Sequence, residues 1–327
     1  MTINIGINGL GRIGKSILNQ AAKRHNFKVS AINIPDFDTN LLNSYLKYDS
    51  VHKCDMSSFE FSNNKFYVND TIVSLLNSRN PKLLNWKEND VKYLIDTTGV
   101  FLTKEKAELH DVDNFIMCAP AKDNTKQFVY NGNHTDYNGE KIVSNASCTT
   151  NSLVPVLKLL NDKYGIVRSN FITIHAATAS QNVIDSVHLK NRIHRSIFNN
   201  IIPHSTGASK SVVKILPSLK DKIHGTSVRI PTANVSMIDL NVILEKKTNL
   251  YDLLEYFQDK NEVEVNNDKH LVSCDFATTT NPSIIDANAC MDMGDNHFKI
   301  AIWYDNEWSY CAQVLNLIEH MYLSKKI

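Results

Sequence analysis

The six residues Asn145-Ala146-Ser147-Cys148-Thr149-Thr150 set one cysteine among hydroxyl side chains, just ahead of an apolar-periodic stretch from Ser152 to Tyr164. A thiol at a helix N-terminus meets unpaired backbone N–H groups and the positive end of the helix dipole. Both favour the thiolate, and the thiolate is the nucleophile. Cys148 is therefore a candidate for covalent chemistry on an electrophilic substrate.

A second chemical signal stands at the N-terminus. Residues 3 to 7 alternate like a strand and run into Asn8-Gly9-Leu10-Gly11-Arg12-Ile13-Gly14, after which Lys15 to Arg24 reads as a helix. A further apolar run, Lys28 to Ile34, completes a β-α-β unit. In such a turn the first glycine permits the tight bend and the second lets backbone approach a pyrophosphate. The third lets the helix pack on the sheet, and the phosphates rest on the helix N-terminus.

These groups need a frame. Strand-like runs at Tyr93 to Thr97 and Asn114 to Ala119 end in Thr97-Thr98-Gly99 and Cys118-Ala119-Pro120-Ala121, the kind of strand ends where open α/β sheets hold ligands. The first half thus reads as a doubly wound parallel sheet of Rossmann type. From Arg168 the runs lengthen, at Asn170 to Ala176, Thr226 to Arg229 and Ser236 to Leu244, with helical stretches at Ser209 to Leu216 and Leu250 to Phe257. That pattern predicts an α+β domain with a mostly antiparallel sheet. Asn306 to Ser324 is again helical and returns to the first domain. The expected organisation is a dinucleotide-binding domain over 1–147, completed by a C-terminal helix over 306–327, and a catalytic domain over 148–305.

Composition narrows the function classes. A chain of 327 residues suits two domains of about 150 residues each. With 43% apolar residues and a net charge of +1, it presents no basic run that would demand nucleic acid as a partner. No signal segment and no apolar run of the roughly 18 residues needed to span a bilayer is evident, so a cytoplasmic protein is expected. The six cysteines, at 54, 118, 148, 274, 290 and 311, show no metal-ligand spacing and no disulfide framework, so no metal is expected.

Five separated stretches resemble the glyceraldehyde-3-phosphate dehydrogenase family. They are Ile7 through Gly14; Leu46-Lys47-Tyr48-Asp49-Ser50-Val51-His52; Ser144 through Asn151; Ile202 through Ala208; and Trp303-Tyr304-Asp305-Asn306-Glu307. The resemblance implies a homotetramer that oxidises glyceraldehyde 3-phosphate to 1,3-bisphosphoglycerate with NAD (or NADP) and inorganic phosphate, requiring neither membrane nor nucleic acid. It implies that Cys148 forms a thiohemiacetal and then an acyl thioester, with His175 as the base that, as imidazolium, also lowers the thiol pKa. Arg229, Thr178 and Ser180 match the pocket for the substrate's phosphate, with Arg192 as a further charge. Ser147, Thr149, Thr206 and Gly207 match the pocket for the attacking phosphate. On the cofactor side the matches are Asn8, Gly9, Gly11, Arg12, Ile13 and Gly14 at the pyrophosphate turn, Arg79, Thr98 and Cys118 near adenine or ribose, Asn306 at the nicotinamide amide, and Tyr310 near the nicotinamide.

The chain departs from the family pattern at Ile34, which stands where a carboxylate about 20 residues past the glycines accepts hydrogen bonds from the ribose. Loss of that carboxylate weakens NAD binding and removes the repulsion against a 2′-phosphate. No lysine or arginine neighbours Ile34 in sequence, and Asp36 is a substitute ligand for the ribose. Ser152 stands where many relatives carry a second cysteine, so oxidation of Cys148 is expected to give sulfenic acid or a mixed disulfide instead of an internal one. Ala177 stands where an aromatic is common. Two other functions share parts of the pattern: an erythrose-4-phosphate dehydrogenase, and a nucleotide- or RNA-binding homologue without catalysis. Dependence of rate on inorganic phosphate separates the first, and the reactivity of Cys148 separates the second.

Overall fold

The computed structural model describes residues 2–38, 41–62, 65–187 and 192–325. The last two residues of the expected C-terminal helix, 326–327, lie outside this set, as do 188–191. The chain forms two compact units, Met1–Ser147 with Cys311–Ile327, and Cys148–Tyr310.

The first unit is built on β1 (Ile3–Asn8), α1 (Arg12–Ala22) and β2 (Phe27–Asn33). Ile3, Ile5 and Ile7 of β1 are buried, and β1 pairs in parallel with β2. Next come α2 (Leu42–Lys47) and a meander of β3 (Phe59–Ser62), β4 (Lys65–Val68) and β5 (Thr71–Leu76), then β6 (Tyr93–Asp96), α3 (Lys104–Ala107), β7 (Asn114–Met117) and β8 (Ile142–Ser144). The strand order is β3-β4-β5-β2-β1-β6-β7-β8. From β5 to β8 all pairs are parallel, while β3 and β4 extend the edge antiparallel. The order reverses direction between β1 and β6, so the ligand crevice of an open α/β sheet lies beyond the paired ends Asn8 and Asp96.

The second unit opens with α4 (Cys148–Tyr164), which begins at the cysteine itself, followed by β9 (Ile166–Ala176), β10 (Ile202–His204), α5 (Ala208–Ile215), β11 (Ile223–Ile230) and β12 (Ser236–Leu244). Beyond these lie α6 (Leu250–Gln258), β13 (Glu264–Asn266), β14 (Ile284–Asp286), β15 (Met291–Asp292) and β16 (His297–Tyr304), after which α7 (Trp308–Ser324) begins, its residues from Cys311 onward belonging to the first unit. The sheet order is β10-β11-β9-β12-β16-β14-β13, antiparallel except for the β9–β11 and β13–β14 pairs. β12 alternates buried and half-buried residues over its whole length, as expected of a strand with one face on the core. Helix α4 covers β9, β12 and β16, burying Leu153, Val154, Val156, Leu157 and Leu160.

Register does the positioning. Arg229 on β11 is opposite His175 on β9, and Ser236 on β12 is opposite Tyr304 on β16. Four side chains far apart in sequence therefore share one end of the sheet. Upstream in the same β9–β11 pair, Gly225 is opposite Phe171, whose ring fills the space a Cβ at Gly225 would need.

Candidate active site

Cys148 is the first residue of α4, and its Sγ lies 3.4 Å from Nε2 of His175, itself buried near the end of β9. Burial pushes the Cys148 thiol pKa up, and the positive charge of Arg229 together with hydrogen bonds from Thr149 opposes that rise. His175 is held down to about 4, by burial first and then by Arg229. The positive charge of Arg229 thus favours the thiolate and opposes a charged ring on His175.

Arg229 stands in an unexpected place. Its Nη1 lies 2.6 Å from Nδ1 of His175 and 3.2 Å from the carbonyl oxygen of Ala176, which is itself 2.8 Å from the same Nδ1. Thr178 and Ser180, expected beside Arg229, instead hydrogen bond to each other at 3.1 Å. Gln181 organises that turn, its Oε1 accepting from both the backbone N–H and the hydroxyl of Thr178. Arg192 forms a short 3-10 turn with Ile193 and His194 and lines a cavity of about 620 Å³ with Pro203, His204, Ser205 and Thr226.

Of the other phosphate candidates, Ser147 immediately precedes α4. Thr149 is buried, with its hydroxyl 3.0 Å from that of Tyr304. The Thr206 hydroxyl accepts from the N–H of Ala208, and Gly207 caps α5 without a side chain, leaving that helix end to backbone groups. Asn306 is buried, and Ser236 donates to its Oδ1 at 2.7 Å while accepting from the N–H of Ala176 at 3.0 Å. Tyr310 is buried in the first turns of α7.

Two contributors escaped sequence reasoning. Tyr304 is fully buried and joins Thr149 to Thr173, at 3.0 and 2.8 Å, with its ring edge-on to His175. Ser236 is the other. Each partner lies far away in sequence, and the pairing of β12 with β16 is the one signal that would have joined them.

In the first unit, Gly9 has φ +91°, a conformation open to glycine. A Cβ at Gly14 would sit 2.1 Å from the carbonyl oxygen of Gly9, whereas a Cβ at Gly11 would meet nothing within 4 Å. The N-terminus of α1 has no side-chain cap and no acid in its first turn. Close packing at Gly14, open space at Gly11 and an uncapped helix end fit a pyrophosphate. Arg12 opens that helix with its guanidinium 2.5 Å from Asp49, which also accepts from the buried ammonium of Lys15 at 2.9 Å. Ile13 follows, its carbonyl accepting from Cys311.

At the switch point Asn8 and Thr98 both donate to Oδ1 of Asp96, whose pKa burial pushes up to about 6. Cys118 follows β7 and donates its N–H to the Asp96 carbonyl. Burial raises its thiol pKa well above normal. Ile34 follows β2 and donates to the carbonyl of Leu76. That pairing brings the loop after β5 alongside, and Arg79 Nε donates to Asp36 at 2.7 Å. An arginine thus stands beside this turn after all, and Asp36 is engaged by it. Among the described residues no cluster of His, Cys, Asp or Glu could hold a metal, and no helix is long and apolar enough to cross a membrane.

Two family models match the chain: the glyceraldehyde 3-phosphate dehydrogenase NAD binding domain over residues 3–104, and the C-terminal domain over residues 147–306. The chain is 41% identical to glyceraldehyde-3-phosphate dehydrogenase of Bacteroides fragilis, over 96% of this chain and 98% of that protein. It is 40% identical to glyceraldehyde-3-phosphate dehydrogenase A of Escherichia coli over 98% and 99% of the two chains. The cytosolic protein of that name from Leishmania mexicana is 39% identical over 97% and 98%.

Proposed function

Because the chain belongs to the glyceraldehyde-3-phosphate dehydrogenase family, we propose that it oxidises glyceraldehyde 3-phosphate with NAD and inorganic phosphate to 1,3-bisphosphoglycerate, using Cys148 as nucleophile and His175 as base. The observation that carries this reading is the 3.4 Å approach of Cys148 Sγ to His175 Nε2 at the N-terminus of α4. Nε2 takes the thiol proton as sulfur attacks the aldehyde carbon, and the proton returns to the new alkoxide to give a thiohemiacetal. Nε2 then removes the hydroxyl proton, so that carbon is oxidised to the thioester level. NAD, when bound, accepts the hydride from that carbon. Phosphate held by Ser147, Thr149, Thr206 and Gly207 attacks the thioester, the C–S bond breaks, and the thiolate leaves. Arg229, Thr178 and Ser180, with Arg192, bind the substrate's own phosphate.

Asn8, Gly9, Gly11, Arg12, Ile13 and Gly14 are the residues for the pyrophosphate, with Thr98 and Cys118 nearby in the same unit, and Asn306 and Tyr310 serve the nicotinamide end. NADP is the second reading, and one observation favours it: Ile34, just past β2, offers no carboxylate, while the Arg79 side chain, paired with Asp36 two residues on, is 77% exposed. A homotetramer is supported by the exposed Val183, Ile184, Phe198 and Ile201 of the loop after β9. Six free cysteines suit a reducing cytoplasm.

Initial rates with glyceraldehyde 3-phosphate, measured with saturating NAD and NADP and with phosphate varied, test the reading. Phosphate-dependent turnover that is lost in Cys148→Ser supports it. Turnover that survives Cys148→Ser, or needs no phosphate, refutes it.

A further inference from the structure

Asn306 is held from two sides. Its backbone is fixed by the buried Asp305, whose Oδ1 accepts from the N–H groups of Glu307 and Trp308 and whose Oδ2 accepts from that of Thr278. Its side chain is fixed by Ser236, 1% exposed at the start of β12. The terminal torsion of an asparagine is broad and roughly two-fold, so packing alone does not decide whether Oδ1 or Nδ2 faces a ligand. Proton counting at Ser236 does. Its hydroxyl carries one hydrogen, and the backbone N–H of Ala176, 3.0 Å away, can only donate to it. The hydroxyl hydrogen is then available to Oδ1 of Asn306 at 2.7 Å. The Tyr304 hydroxyl does not need it, because Thr149 and Thr173 already stand 3.0 and 2.8 Å from that oxygen. With Oδ1 turned back onto Ser236, the two hydrogens of Nδ2 are what Asn306 presents.

We propose that Ser236 is a positioning residue for coenzyme recognition: its hydroxyl locks Asn306 with the amide nitrogen outward, so that Asn306 donates to the carboxamide oxygen of NAD and does not read the carboxamide's amino group. This rests on the assignment of Asn306 to the nicotinamide end. The same hydroxyl accepts from Ala176, the residue after His175, so one serine ties the nicotinamide holder to the end of the strand that carries the base. Ser236→Ala removes the lock and leaves Asn306 in place. The amide can then turn, its oxygen and nitrogen alternate at the ligand, and part of the binding gained from the carboxamide oxygen is lost.

Equilibrium binding to the full-length protein, read by calorimetry, tests it with three coenzymes that differ only at position 3 of the pyridine ring. These are NAD, the 3-acetylpyridine analogue, which keeps the carbonyl and lacks the amino group, and the unsubstituted pyridine analogue, which has neither. The wild type should bind the acetyl analogue nearly as well as NAD and the pyridine analogue about three- to tenfold more weakly, the range of one net hydrogen bond. Ser236→Ala should weaken NAD about threefold and leave the pyridine analogue unchanged. In an Asn306→Ala background the same change should add nothing, because the lock then has nothing to hold. A merely structural serine would weaken all three coenzymes alike, and that result overturns the proposal. So does unaltered NAD binding in Ser236→Ala, or a Ser236→Ala effect that persists without Asn306. An acetyl analogue that binds the wild type as poorly as the pyridine analogue also overturns it, and that arm needs no variant. Asn306→Ala with the wild-type ratio of NAD to pyridine-analogue affinity would instead sink the assignment of Asn306 to the nicotinamide, which keeps the two failures apart.

Discussion

Gly225→Ala tests whether strand register places the site. The added Cβ would fall 2.2, 2.3 and 2.7 Å from three ring carbons of Phe171. Carbon contacts are ordinarily about 3.5–4.0 Å, so ring and strand must separate by more than about 1 Å. Phe171 is 1% exposed, and protein interiors are close-packed. Overpacking of this kind costs about 1–3 kcal/mol. Either β11 shifts away from β9, carrying Arg229 away from His175 four residues downstream in the same register, or the ring is expelled into the core. A misplacement of about 1 Å at a reacting group costs on the order of 100-fold in rate. Urea midpoints and kcat are measured for the single variant, for Phe171→Leu and for the double variant. The expected outcome is a favourable coupling of about 1 kcal/mol or more in the double, which recovers part of the lost kcat. Strict additivity, or a Gly225→Ala enzyme with wild-type stability and rate, would refute the reasoning.

Three further outcomes are expected. Asp49→Asn should destabilise the first unit by about 3–5 kcal/mol, because it leaves the buried Lys15 ammonium without its carboxylate; a thermal-shift series in which Asp49→Asn and wild type coincide would contradict this. Burial holds both His110 and His175 down to about 4, whereas unfolded histidine titrates near 6.5. Below about pH 6.5 the unfolded chain takes up protons that the fold refuses, so stability should fall as pH drops from about 6.5 towards 4, and His110→Gln should flatten that slope in urea midpoints at pH 7, 6 and 5. Tyr304→Phe removes the hydroxyl joining Thr149 to Thr173 and should cost about 0.5–1.5 kcal/mol for each bond lost, raising the KM for inorganic phosphate more than that for NAD. Equal changes in both constants would argue against a phosphate role for Thr149.

What could be read from the sequence was what is local. The glycine turn and the cysteine at a helix start are each contained in a few consecutive residues, and both took the expected form. The meander β3–β5 was not seen because only one or two residues of each strand are buried, whereas β6 and β7 are buried throughout. β16 was not seen because its alternation breaks at Ala301-Ile302, where the strand is buried on successive residues. The Asp36–Arg79 pair joins positions 43 apart, brought together by the parallel pairing of β2 with β5, which no spacing rule reports. The electrostatic setting of His175 depends on burial and on Arg229, 54 residues away, which no local sequence pattern reports.

The alignment of strand ends in the second unit also fixes when the site can exist. Thr149 and Tyr304 are separated by 155 positions, and β16 pairs with β12 inside the sheet, not at its edge. A chain growing on the ribosome carries Cys148, His175 and Arg229 long before the strand that supports them has been made. Closure of so distant a loop is slow relative to helix formation. Reactivity of the thiol should therefore be among the last properties gained in refolding, after helical signal has recovered, so the nascent chain is protected from chemistry at its own nucleophile.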